Sequence, residues 1–188
     1  MALTGAGVST AAGIQDFRGP KGLYVTRQYD PETVFDISAF RRDPEPFYEF
    51  TRDLLGVIDT IEPTVTHRFL AQLEADGRLT AVVTQNIDSL HQKAGSQQVI
   101  SVHGDYWTSH CLDCGREYDL ETMSGMIREA GVPRCSCDGV IKPDVVFFGE
   151  AVRDLEVAAR VVGASELLLV LGSTLVVYPA AFLPEQAG

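Results

Sequence analysis

Short apolar runs rich in β-branched residues alternate along this chain with stretches of helical periodicity. Leu79–Thr84, Val99–Val102, Val145–Phe148 and Leu167–Leu171 each have the length and composition of a buried strand. Met1-Ala2-Leu3 reads as the end of another. Between them, Thr66–Asp76 sets Phe69, Leu70 and Leu73 on one helical face, and Leu155–Val162 does the same with Val157, Ala158 and Val161. Strands alternating with helices predict an α/β fold: a Rossmann-like, doubly wound parallel sheet.

Two stretches break the alternation. Residues 31–61 are helix-like and aromatic, with Phe35, Phe40, Phe47, Tyr48 and Phe50, and read as a helical insert packed on the sheet. Residues 109–138 are polar, carry all four cysteines and read as a small metal-held module. The sheet domain is then discontinuous, formed by residues 1–30, 62–108 and 139–188. At 188 residues the chain fits one domain with such inserts. There are no repeats or low-complexity tracts.

Composition narrows the partners. A net charge of −11 argues against direct nucleic-acid binding, which needs a basic face, and suits a basic protein tail. The chain has no membrane-length apolar run and no basic-then-apolar leader, so a cytoplasmic protein with no membrane association is expected. Cysteines in paired spacing without a leader favour metal over disulfides.

The candidate chemistry lies on loops that follow the apolar runs. Gly5-Ala6-Gly7-Val8-Ser9 lets backbone N–H groups approach an anion such as a dinucleotide pyrophosphate. Thr10 replaces the third glycine of the usual fingerprint and Val25 falls where its ribose-binding acid belongs, which argues against an ordinary dehydrogenase. Gly13–Gly19 encloses Asp16, Phe17 and Arg18, an acid, a ring and a fixed cation on one loop. Gln85, Asn86 and Asp88 follow a strand, where amides and an acid can grip a carboxamide; they also fit a polar turn that caps the next helix. His103, with Gly104 behind it, is placed to act as a general base. His67 and His91 fall in helical stretches, to pack or face solvent, and His110 beside the cysteines is a spare ligand. Cys111-x-x-Cys114 and Cys135-x-Cys137 match a zinc ribbon, a closed structural site. Gly172-Ser173-Thr174 offers donors for phosphate or ribose, and Val145–Glu150 offers an edge to an extended peptide.

In this order the motifs resemble the sirtuin family, the NAD-dependent protein deacylases, in its bacterial form, from Leu3 to Ala181. The resemblance implies roles. Gly5, Ala6, Gly7, Ser9, Asp16, Phe17, Arg18 and Tyr24 would line the NAD loop, with Phe17 shielding the reactive ribose carbon. Gln85, Asn86, Ile87 and Asp88 would hold nicotinamide and its ribose, with Asn86 also taking part in catalysis. Gly172, Ser173 and Thr174 would contact the adenosine side. Val146, Phe148, Gly149, Glu150, Val176, Val177 and Tyr178 would grip an acetyl-lysine peptide between two strands. The acetyl oxygen would attack the ribose carbon as nicotinamide leaves, and His103 would deprotonate a ribose hydroxyl. The products would be free lysine, nicotinamide and acetylated ADP-ribose.

Three departures qualify the match. Gln15 replaces a proline, and Gly172-Ser173-Thr174 inverts the commoner order of its hydroxyls. The Tyr-x-x-Arg of members that prefer acidic acyl groups is absent, since Thr51 lies three residues after Tyr48 and Arg52 one place further, which argues for acetyl over succinyl. The chain opens inside its first strand and closes on Pro184–Gly188, so a piece cut at both ends is expected, with the family's last strands beyond it. A non-catalytic fragment that binds acetylated or basic peptides, and a mono-ADP-ribosyltransferase, are the competing readings.

Overall fold

Four very short strands build the central sheet of the computed structural model, which describes residues 1–16, 19, 22, 26, 29–58 and 60–188. They are β1 (Ala2–Thr4), β2 (Val82–Thr84), β3 (Val99–Ser101) and β7 (Leu169–Leu171), all parallel, in the order β3-β2-β1-β7. The register pairs Leu3 with Val83 and Val170, and Thr4 with Thr84 and Leu171. Every strand therefore ends on the same edge, and the loops that follow emerge side by side.

Successive strand residues face opposite sides. Leu3 and Val83 pack with Val102 and with Ala158 and Val162 of α7 (Leu155–Gly163). Ala2 and Val82 pack with Leu70 of α4 (Val65–Ala75). Helices on both faces give the doubly wound α/β arrangement. Two expected core positions turn outward: Phe69, 54% exposed beside the buried Leu70, and Val157. Leu167, expected in a buried strand, precedes β7 and is 66% exposed, and Val170 within β7 is also exposed.

The aromatic segment forms α1 (Pro31–Val34), α2 (Ile37–Arg42) and α3 (Glu45–Ile58). Asp36 caps α2, its carboxylate accepting from Ala39 N–H at 2.7 Å. Phe35, Phe40 and Phe47 meet Phe147 edge-on or tilted, an arrangement that favours aromatic rings over face-to-face stacking. The buried Tyr48 hydroxyl donates to the Ile141 carbonyl.

A second sheet is antiparallel: β5 (Glu117–Asp119), β4 (Thr108–Cys111) and β6 (Ile141–Pro143), in that order. An unexpected helix, α6 (Leu120–Ala130), is capped by Asp119 and sends Met123 and Ile127 into the aromatic core. Val145–Phe148, expected to be a strand, instead makes a loop with one isolated bridge, Phe148 to Asp36. Gly149, at φ +91°, turns the chain away before a ladder can form.

Candidate active site

The loops after β1, β2, β3 and β7 enclose a cavity of about 720 Å³, the size of a small-molecule site. Glycine makes the first contact possible. Gly5 N–H bonds Leu171 O at 3.1 Å and Gly7 N–H bonds Gly172 O at 2.9 Å. A Cβ on Gly5 would stand 2.8 Å from Gly172 O, and one on Gly172 (φ +63°) would stand 2.4 Å from Val8 N. Only bare backbones fit this close approach.

Side chains stitch the loops together. Gln85 Nε2 donates to Ser173 Oγ at 2.9 Å. Asn86 Nδ2 donates to Gly5 O at 3.2 Å and to Ser9 Oγ at 3.1 Å. Both amide hydrogens are thereby committed, and Asn86 can offer the cavity only its carbonyl oxygen. Ser9 Oγ donates to Asp88 Oδ2 at 2.6 Å, and Asp88 Oδ1 accepts from Leu90 N–H at 2.9 Å. Asp88 thus caps α5 (Leu90–Lys93), as a polar turn should, and still faces the cavity.

His103 Nδ1 lies 3.0 Å from the Gln85 carbonyl oxygen. A carbonyl only accepts, so Nδ1 carries the proton and Nε2 keeps a lone pair. Burial pushes the His103 pKa down, against a smaller opposing effect of the Gln85 bond, which favours the neutral, basic ring. Behind it, Gly104 (φ +72°) is obligatory, since a Cβ there would fall 1.9 Å from Asp144 O. His103 O accepts from Val146 N–H at 2.8 Å, which ties the base to the loop before Gly149.

Nearly every expected site residue within the described set lines this cavity: Gly5, Ala6, Gly7, Ser9, Asp16, Gln85 through Asp88, His103, Val146, Phe148, Gly149, Glu150, Gly172 through Thr174, Val177 and Tyr178. Val176 does not; its side chain is exposed. Phe17, Arg18 and Tyr24 lie outside the described residues. Tyr48 and Thr51 are buried away from the cavity. Sequence reasoning missed an apolar wall made by Phe35, Phe50, Leu54 and Phe147. The i, i+4 pair Phe50 and Leu54 on α3 was the available signal.

The four cysteine sulfurs lie within 4.8 Å of one another, with Cys111–Cys137 and Cys114–Cys135 at 3.5 Å. Thiolates around tetrahedral zinc, with Zn–S near 2.3 Å, stand about 3.8 Å apart, so the donor set and its spacing fit that ion. At Gly139 a Cβ would reach within 2.7 Å of Cys111 Sγ. His110 is not a spare ligand: its Nδ1 is 2.9 Å from Asp144 Oδ1 and it stands apart from the cluster. His67 and His91 are both fully buried, their rings 4.6 Å apart.

Fold and site together define a Rossmann-like α/β protein with a glycine-lined crevice, a histidine in its wall and a four-cysteine cluster outside it. The chain is similar to known proteins over nearly its whole length. The Sir2 family model matches residues 5–179, and the chain belongs to that family. An NAD-dependent protein deacetylase of Sulfurisphaera tokodaii is 45% identical over 185 residues, which cover 98% of this chain and 73% of that protein. One of Thermotoga maritima is 44% identical, covering 97% of this chain and 74% of its own length. A solved Sir2–p53 peptide–NAD+ complex superposes with a TM-score of 0.89 at 42% identity, over 98% of this chain and 75% of that one.

Proposed function

We propose that this chain is an NAD-dependent protein-lysine deacetylase that moves an acetyl group from lysine to ADP-ribose and releases nicotinamide. The observation that carries the reading is convergence: four post-strand loops meet at one cavity, and the only histidine lining it among the described residues presents an unprotonated Nε2. The named relatives are deacetylases that use NAD.

Bound NAD supplies a nicotinamide–ribose bond whose cleavage opens the ribose carbon to the acetyl oxygen. The protein's own residues do the rest. Within the Gly5–Val8 turn the N–H groups of Gly5, Gly7 and Val8 are taken by Leu171 O, Gly172 O and Gly5 O, so Ala6 N–H, with the hydroxyls of Ser173 and Thr174, would hold the dinucleotide. Asn86 Oδ1 accepts, and the remaining lone pairs of Asp88 accept, from the carboxamide and ribose side. His103 Nε2 takes a proton from a ribose hydroxyl. Phe35, Phe147 and Phe148 exclude water from the acyl group and favour a neutral acetyl-lysine. Val146–Glu150 and Val177–Tyr178 receive the peptide on either side. Zinc on Cys111, Cys114, Cys135 and Cys137 is structural, since a fourfold thiolate site leaves no open position. The division into a discontinuous sheet domain, a helical insert over 31–61 and a module over 109–138 belongs to the same reading. So does a cytoplasmic setting, supported by four unpaired thiols. No helix among the described residues is long and apolar enough to cross a membrane.

The test is direct. With acetyl-lysine peptide and NAD, the protein should release nicotinamide and deacetylated peptide in equal amounts. Absence of both products overturns the proposal.

A further inference from the structure

Lys142 in β6 is only 6% exposed, and no role assigned above uses it. Its Nζ lies 2.6 Å from Val145 O, 3.2 Å from Pro143 O and 2.9 Å from Glu150 Oε2. An ammonium has three hydrogens to donate, and here three acceptors take them. The charge also stands over the Phe147 ring, 4.1 Å from its centroid. The same Glu150 oxygen accepts from Phe147 N–H at 2.8 Å. Burying a charge is costly unless it is paired and fully hydrogen-bonded, and this one is both.

Every acceptor belongs to residues 143–150, the segment that walls the acyl side of the cavity. That segment has almost no ladder of its own. Its backbone is held by single bonds: Asp144 N–H to Thr108 O, Val146 N–H to His103 O, Phe148 N–H to Phe35 O, Ile37 N–H to Phe148 O, and Glu150 N–H to Phe147 O within the turn. A buried cation bonded to both ends of the turn supplies the order that a sheet would otherwise give. Glu150 is correspondingly committed inward, to Lys142 and the Phe147 amide, so its carboxylate acts on the peptide through the shape of the turn.

We propose that Lys142 is a positioning residue for the acyl-lysine peptide: its ammonium, with Glu150, fixes the 143–150 turn against the base at His103. This inference rests on the deacetylase reading for what the turn binds, and on geometry alone for what holds it. Lys142→Met keeps the stem and removes the charge, leaving Glu150 and two carbonyls without their partner. The expected result is a rise of about tenfold or more in the peptide KM, equivalent to one factor of ten in binding, with the NAD KM unchanged and kcat less affected. Lys142→Arg restores part of the loss, and Glu150→Gln falls between.

Amide exchange followed by mass spectrometry reads the turn without turnover. Protection in 143–150 should fall in Lys142→Met while α4 and α7 stay as in wild type. If the wild-type protein gives no deacetylation, the functional reading fails and the exchange result alone decides the clamp. A peptide KM and a 143–150 exchange rate both equal to wild type overturn the proposal. A parallel fall in kcat and in protection everywhere also overturns it, as that marks a merely destabilised fold. Should Lys142→Met not fold, the same two readings on Lys142→Gln, which also removes the charge, decide in the same way.

Discussion

Acid should unfold this protein through two histidines that the chemistry does not use. His91 Nε2 sits 2.9 Å from Thr4 Oγ1, whose own hydroxyl donates to Thr84 Oγ1. Thr4 can therefore only accept, and His91 Nδ1 is bare and without a partner. His67 Nδ1 accepts from Thr64 N–H at 3.2 Å, and Thr64 Oγ1 donates to Val8 O in the glycine turn. Desolvation, with His67 alongside, pushes the His91 pKa from 6.5 down to about 3. Burial lowers His67 as well, with Asp88 opposing and Arg68 assisting. A depressed folded pKa means that the unfolded chain takes up the proton first. The stabilisation is complete above the unfolded value of 6.5 and is lost progressively as pH falls towards 3. From about pH 7 to about pH 5 the loss for His91 alone is about 2 kcal/mol, at roughly 1.4 kcal/mol per pH unit below the unfolded pKa. The assay is urea unfolding at both pH values for wild type and His91→Gln, which can still donate to Thr4 but does not titrate. Acid effects on the cysteine cluster are common to both proteins and cancel. Wild type should lose about 2 kcal/mol more than the variant over that interval; equal losses would refute the reasoning.

Three further outcomes follow from the site. Because burial holds the His103 pKa below 6.5, the acid limb of kcat/KM should have its midpoint below that value, and a limb at or above it contradicts the assigned environment. Metal analysis should find one zinc for the four cysteines, and a strong chelator should melt the 108–143 sheet region at lower temperature; an unchanged melt argues against a structural ion. Acetyl-lysine should be preferred to succinyl-lysine, since the cavity wall carries Asp16, Asp53 and Asp88, with Glu150 paired to Lys142, and, among the described residues, no lysine or arginine. A succinyl peptide that turns over as well as an acetyl one would overturn that electrostatic argument.

What the sequence disclosed depended on how local the signal was. The loop motifs were legible because each carries its reason within a few residues. Glycine at 5, 7 and 172 is required by one backbone contact, and His103 follows a strand end in a parallel sheet. The cysteines were legible because ligand spacing is a short-range constraint. Positions fixed by long-range packing were not. Phe69 has the helical phase of a core residue, but the neighbouring Leu70 fills the contact with β2, so Phe69 faces out. Val145–Phe148 has the composition of a strand, yet its hydrogen bonds go to His103 and Phe35 in two distant loops and to Glu150 of its own turn. The role of Lys142 was invisible for the same reason, since its charge is satisfied only once the turn has closed. Helix α6 was masked by the polarity of its exposed face, although Leu120, Met123, Met126 and Ile127 carry its phase.

The central claim is that His103 is the base at a cavity built for acetyl-lysine and NAD. Measuring deacetylated peptide for wild type and His103→Ala side by side, with urea midpoints and peptide affinity as controls, tests it most directly. The account predicts a fall of about 10²–10⁴-fold in turnover with both controls unchanged. Turnover by the variant at the wild-type rate would contradict it.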